Sequence, residues 1–284
     1  MRLLRKSSLC LLLLFLIGCE GEYQAERSYW KANRLYTKIA KKPRLAKEKD
    51  FQKAIGELKG VIAKYPNWQN TPEAQLMLGN LCLLKKDYKT ARRELSEAIK
   101  KYPKEVGVCA EAQFLIGMCY ESEGEWEKAL LEYQKVESNY PYTYPALQTP
   151  LQIAHYYKEQ DRKAETEGAY QKAVMKYIEI ISKIPDSNLA LMAQDLIVNC
   201  YLEQEKWETA IKTLETISLI YYGAERGANA LFQIAFIYQN QLKNPGEAIK
   251  RYEEFLALYP NHKFAKKAEM ELLSLKITTP NIRR

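Results

Sequence analysis

One frame recurs along the chain and limits what it can fold into. An aromatic residue opens it, an alanine follows three residues later, and a Tyr-Pro pair closes it fourteen residues after the opener. Trp126/Ala129/Tyr140-Pro141 is the fullest copy. The others are Phe51/Ala54/Tyr65-Pro66, Tyr88/Ala91/Tyr102-Pro103, Tyr170/Ala173/Ile184-Pro185, Trp207/Ala210/Tyr221 and Pro245/Ala248/Tyr259-Pro260. Successive openers stand 37, 38, 44, 37 and 38 residues apart. A fixed period of this size marks stacked supersecondary units, each too small to bury its own apolar face. Such a chain grows by addition and has no single core. Its 47% hydrophobic and 27% charged residues fit a folded protein rather than a disordered one.

The residues between openers predict a pair of helices per unit. In the second unit, Thr71-Pro72-Glu73 reads as an N-cap, a proline in the first turn and a carboxylate near the positive end of the helix dipole. Helix A then carries Leu78, Gly79 and Cys82. Helix B carries Ala91, Leu95 and Ala98 at spacings of four and three, a helical stripe. Tyr102-Pro103 stops it, because a residue before proline is pushed out of the helical region. Gly79 and Ala91 leave room for the two helices to approach. Gly117, Tyr120, Ala129 and Tyr133 repeat this in the third unit, Val198, Tyr201, Ala210 and Leu214 in the fifth, and Ala235, Tyr238, Ala248 and Tyr252 in the sixth. The fourth unit is longer. Its excess falls in residues 158–167, too polar for core, and is expected to prolong both helices, with helix B starting near Gly168. The three tyrosines of Tyr140-Pro-Tyr-Thr-Tyr-Pro145 are expected to pack against the neighbouring unit. Beyond Pro260, Asn261 is expected to cap a last helix with Phe264, Ala268, Leu272 and Leu275 on one stripe.

At these residues the chain resembles the tetratricopeptide repeat (TPR). The family pattern has Gly or Ala and Tyr in helix A, Ala and an aromatic or Leu in helix B, and a closing Pro. The resemblance implies an all-α fold: an α-solenoid superhelix of about six TPR-like helical hairpins with a C-terminal capping helix. The array is expected over residues 26–260, the cap over 261–276 and a frayed tail over 277–284. It also implies a groove lined by helix A faces, which places Leu76, Asn80, Phe114, Met118, Asn199, Phe232 and Phe236 against a protein or peptide partner.

The N-terminus is read separately. Arg2, Arg5 and Lys6 precede an apolar run, Leu9 to Ile17, of secretory-signal length. It ends in Leu16-Ile17-Gly18-Cys19, which resembles the lipobox of bacterial lipoproteins. That resemblance implies a signal peptide over 1–18, diacylglyceryl modification of Cys19, and a short lipidated tether over 19–25. Glu20 in place of Asp after the cysteine favours the periplasmic face of the outer membrane. Between Arg27 and Lys53 lie ten Lys or Arg against two acids. Lys31, Arg34, Lys38, Lys41, Lys42, Arg44, Lys47 and Lys49 make up an expected membrane-facing basic patch, for which the plainer reading is a solvated polar end of the array.

The chemistry-bearing residues give no catalytic set. His155 and His262 have no Ser or Cys motif beside them, and neither a Gly-rich phosphate loop nor HExxH occurs. No cofactor, metal, small-molecule substrate or nucleic-acid partner is expected. Cys82, Cys109, Cys119 and Cys200 read as small core residues, with a Cys82–Cys119 bridge as the alternative. Glu121-Ser122 and Glu137-Ser138 lack the Gly-Leu-Met-Gln element of lytic transglycosylases, the remote enzymatic reading. Among TPR lipoproteins, the lipobox, long period and Tyr-Pro closers resemble those of the outer-membrane β-barrel assembly machinery. Cell-division adaptors and pilus-assembly lipoproteins of the same repeat class are the alternatives.

Overall fold

A computed structural model describes the backbone of residues 3–278 and the side chains of residues 22–278. The signal peptide, Cys10, Cys19 and the tail beyond Thr278 lie outside the residues whose side chains are described. Thirteen α-helices and no strand occur among the described residues. They pair into hairpins: α1 (Leu3–Lys41) with α2 (Glu48–Lys64), α3 (Thr71–Leu84) with α4 (Tyr88–Lys101), and α5 (Val106–Ser122) with α6 (Trp126–Asn139). Next in the chain are α7 (Tyr144–Glu159) and α8 (Lys163–Lys183), followed by the paired α9 (Asn188–Glu203) and α10 (Trp207–Ile220), the paired α11 (Glu225–Asn240) and α12 (Pro245–Leu258), and a final α13 (Ala265–Thr278). The chain divides into two compact units, Met1–Ile153 and Ala154–Arg284, with the division falling inside α7.

The sequence frame maps onto helix B. Tyr88, Trp126, Trp207 and Pro245 are the first residues of α4, α6, α10 and α12, while Tyr65, Tyr102, Tyr140, Ile184, Tyr221 and Tyr259 are the C-caps of the six B helices. The cap carbonyl is then reused. Tyr65, Tyr102, Ile184, Tyr221 and Tyr259 each accept from the backbone N–H three residues on, and Tyr140 accepts from the Thr143 hydroxyl. This turn satisfies a group that the end of a helix leaves unpaired. The alanine of the frame is fully buried in all six copies, at Ala54, Ala91, Ala129, Ala173, Ala210 and Ala248.

The A-to-B turns follow a second rule, which is not visible in the sequence. Lys86, Gly124, Asp161, Glu205 and Lys243 all have positive φ and stand two residues before helix B begins. In four of these turns the next N–H reaches five residues back: Asp87 to Cys82, Glu125 to Tyr120, Arg162 to Tyr157 and Lys206 to Tyr201. This is the Schellman closure, which requires the left-handed residue. Glycine meets that requirement once; lysine, aspartate and glutamate meet it elsewhere.

Close approach of A and B is visible at the small residues. A Cβ on Gly79 would meet Leu95 Cγ at 2.5 Å, and one on Gly117 would meet Tyr133 Cε1 at 2.5 Å. In the first unit, Phe51, Leu58, Val61, Leu78 and Leu81 form one buried cluster with Ala32 and Ile39 of α1, and Leu95, Leu115 and Ile116 belong to the next. In the second unit, Leu214, Leu231, Phe232, Ile234, Tyr252 and Phe255 form the core, which Ala268 and Leu275 of α13 close. Trp126 is buried, and Trp207 is half-buried against that second core.

Several expectations are corrected. Asn70, not Thr71, is the N-cap of α3; the Thr71 hydroxyl instead donates to the Tyr65 carbonyl at 2.6 Å, tying one repeat to the close of the previous one. The excess of the fourth unit does lengthen a helix, but α8 begins at Lys163 rather than near Gly168, so Tyr170 sits two turns inside it. The cap begins at Ala265, four residues after the expected boundary, because His262 and Phe264 are held in a turn, with Phe264 N–H donating to His262 Nδ1. Tyr142 and Tyr144 are exposed rather than packed. Residues 22–25, placed in the tether, are helical: Ala25 is buried and extends the Ala32/Ile39 stripe of α1 by two turns.

Candidate protein-binding faces

In the first unit α1, α3 and α5 touch in sequence, so their A-helix faces adjoin. Leu76 and Asn80 of α3 and Met118 of α5 are half-buried there. Phe114 is not part of an open face: it is 7% exposed and packs against the Tyr133 ring at 5.4 Å. Met118 lines a hollow of about 640 Å³ with Phe51, Leu83, Leu84 and Tyr88. That hollow combines apolar area with a charged rim of Arg44, Lys86 and the Lys85–Glu48 ion pair at 2.6 Å.

Two carboxylates on these A helices lack partners. Glu73 Oε2 is buried without a hydrogen bond. Burial pushes the Glu111 carboxyl above the usual carboxylate range, with no cation beside it to offset the desolvation. Other polar groups are paired across the hairpin: the Gln75 amide donates to the Glu94 carboxylate at 2.9 Å, and Gln113 donates to Glu132 at the same position one repeat on. The buried Tyr133 hydroxyl donates to Glu121 Oε2, which also accepts from Gln152 at 3.0 Å.

In the second unit Asn199 is exposed and lines a pocket of about 360 Å³ with Asn229, Gln233, Val198 and Phe264. Asn229 Oδ1 is buried and unpartnered. Arg226 closes one wall, donating to both Asp195 oxygens at 3.0 and 2.8 Å and to the Leu191 carbonyl at 2.8 Å. Side-chain amides carry both donor and acceptor, as a partner's main chain does. Phe232 belongs to the core: it is 6% exposed and packs against Tyr252, Phe255 and Phe264. Phe236, one turn on, is 39% exposed with the Lys267 ammonium 5.8 Å from its ring. The sequence pattern missed Asn229 and Gln233; both follow from the position of Asn199 once the hairpins are aligned.

His155 takes a structural role in this unit. Its Nε2 lies 2.7 Å from Glu203 Oε2, the same oxygen to which the Tyr170 hydroxyl donates at 2.6 Å. Cys82, Cys109, Cys119 and Cys200 are buried free thiols; burial pushes Cys82 up to about 11 and Cys119 and Cys200 up to about 12. No group of three or more metal-ligating side chains occurs among the described residues, nor is any described helix long and apolar enough to cross a membrane. All eight cations of the expected basic patch are exposed.

Models of the tetratricopeptide repeat match residues 44–106, 87–142 and 229–262. The chain contains tetratricopeptide repeats. The matched stretches cover α2 to α6, most of α11 and all of α12; helices α7 to α10 lie between them. Repeats of this type make a protein–protein interaction scaffold, and the fold class is the α-solenoid. No curated protein matches the chain in sequence. Among solved structures, a tetratricopeptide repeat protein from Parabacteroides merdae is 16% identical at a TM-score of 0.37, over 88% of this chain and 99% of that one. BtubC from P. vanneervenii is 14% identical at 0.38, over 92% of each chain. Human IFIT1 is 16% identical at 0.45; this chain spans 56% of its length.

Proposed function

We propose that the chain is a lipid-tethered TPR scaffold of the bacterial cell envelope that docks a partner protein in outer-membrane β-barrel assembly, in the manner of BamD. The observation that carries the binding role is the pair of A-helix faces. Leu76, Asn80 and Met118 in one unit, and Asn199, Asn229 and Phe236 in the other, combine accessible apolar area with unpaired amide groups. Such a surface fits an extended or helical segment whose main chain supplies the polar partners. The envelope role is supported by Leu16-Ile17-Gly18-Cys19, with Cys19 the proposed site of lipidation and the outer membrane the proposed location. The long period together with the lipobox supports the barrel-assembly reading; the Tyr-Pro closers are shared with the cell-division adaptors.

Affinity purification from detergent-solubilised membranes tests it. Recovery of a barrel-assembly protein, lost on Asn80→Arg/Met118→Arg or Asn199→Arg/Phe236→Arg substitution, supports the proposal. Reproducible recovery of a cell-division or pilus complex instead would replace it.

A further inference from the structure

Helix α1 carries two opposed stripes. Ala25, Ala32 and Ile39 are buried against the first unit. At 100° per residue, Tyr23, Arg27, Trp30, Arg34, Lys38 and Lys41 fall on the opposite side. All six are exposed, with Tyr23 at 62% and Trp30 at 60%, and the Arg34 guanidinium stands 5.6 Å from the Trp30 ring. Lys31 and Lys42 flank this stripe; of the acids of the segment, Glu22 falls at its edge and Glu26 within it, between Tyr23 and Trp30, so the stripe keeps a cationic excess of four Lys or Arg over one Glu. From Tyr23 to Lys41 the stripe runs about 27 Å at the helical rise. A merely solvated helix face has no need of an exposed tryptophan and tyrosine seven residues apart among cations.

We infer that this stripe is a membrane-docking surface that lies against anionic phospholipid head groups, with Trp30 and Tyr23 entering the interface and the arginines and lysines pairing with phosphates. Amphipathic aromatic rings favour the head-group level, and a row of cations is attracted to an anionic surface and released by salt. A fatty anchor at residue 19, four residues before Tyr23, would bring the stripe to the surface. One or two acyl chains fix distance but not orientation, and the stripe supplies orientation: α1 lies along the membrane and the α3 and α5 faces are presented at a set height above it. The inference deepens the tethered-scaffold reading, but its test needs no lipid on the protein.

The test uses the chain from residue 19 with Cys19→Ser, so that binding through acyl chains is absent. Sedimentation with vesicles of phosphatidylcholine alone, or with phosphatidylglycerol added, gives the partition coefficient. Binding to the anionic vesicles, weakened by salt and absent on the neutral ones, is the expected result. Each cation removed lowers partitioning about fivefold, so Arg27→Glu/Arg34→Glu/Lys38→Glu/Lys41→Glu abolishes it. Trp30→Ala lowers it with the charges intact, and brominated lipid quenches the unaltered protein more than the Trp30→Phe variant. Because these side chains are exposed, the melting temperature of each variant stays that of the parent. No binding to anionic vesicles, or binding indifferent to these substitutions, overturns the inference. Either result leaves the partner-binding faces and the lipidation of Cys19 to be judged on their own experiments.

Discussion

Gly117 offers the sharpest test of how the hairpins are packed. A methyl group there would stand 2.5 Å from Tyr133 Cε1, 2.8 Å from Cδ1 and 3.1 Å from Cζ. Carbon atoms rest about 3.5–4.0 Å apart, so three contacts overlap at once. Tyr133 has little freedom to retreat. It is fully buried, its hydroxyl is held by Glu121, and its ring packs on Phe114 and Trp126 at 5.4 and 6.3 Å. Overpacking of this kind costs about 1–3 kcal/mol, and exchanging glycine for alanine inside a helix returns about 1 kcal/mol. Gly117→Ala is therefore expected to destabilise the protein by up to about 2 kcal/mol, and not to stabilise it. Gly56 is the control: it lies in α2, is exposed, and nothing would come within 4 Å of its Cβ. There only the propensity gain remains, so Gly56→Ala stabilises by about 0.5–1 kcal/mol. Urea denaturation followed by far-ultraviolet circular dichroism reads both shifts as movements of the midpoint in opposite directions. A midpoint raised by Gly117→Ala as much as by Gly56→Ala would mean that helices α5 and α6 are not in close contact at this position.

The remaining predictions concern other parts of the two units. Phe232→Ala removes a ring enclosed by Tyr252, Phe255 and Phe264 and should cost about 3–5 kcal/mol, seen as early melting of the second unit. Gly124→Ala forces an L-residue to φ 77° and should cost about 1 kcal/mol by the same denaturation assay. Glu111 has a raised carboxyl pKa in the folded state, so its contribution is fully present below about pH 4.5 and is lost as pH rises through the folded value. Glu111→Gln should therefore raise the melting temperature at pH 7 and leave it unchanged below pH 4.5. Burial lifts the Cys82 thiol from 9.0 to about 11, so at pH 8 its thiolate fraction falls about a hundredfold and labelling by a disulfide reagent should be slow until urea is added.

The repeat was legible because its frame consists of residues that packing and chain direction both constrain. An alanine at the A–B crossing recurs in all six copies, an aromatic opener of helix B in five and a tyrosine before proline at the C-cap in four, and each has one job. The left-handed turns were not legible. Only Gly124 announces one; Lys86, Asp161 and Glu205 reach the same conformation because the Schellman closure around them requires it, while Lys243 reaches it in a turn where Asn244 N–H bonds the Tyr238 carbonyl six residues back. The binding faces were half legible. The resemblance to the repeat family placed Asn80, Asn199 and Phe236 on the groove face, but it could not separate Phe236 from Phe232, which is four residues earlier. A rotation of 400° brings both near one line; the aromatic cluster around Phe264 draws Phe232 inward and leaves Phe236 outside. The α1 stripe was legible as charge. Its aromatic members gained meaning only when Ala25, Ala32 and Ile39 fixed which side of the helix is buried.

Photocrosslinking in intact cells tests the scaffold claim most directly. A benzoylphenylalanine placed singly at Asn80, Met118, Asn199 or Phe236 should yield one discrete adduct with an envelope protein. The same probe at Leu131 or Met175, both exposed on B helices, should yield none. Adducts from Leu131 and Met175 with none from the A-helix positions would contradict the account.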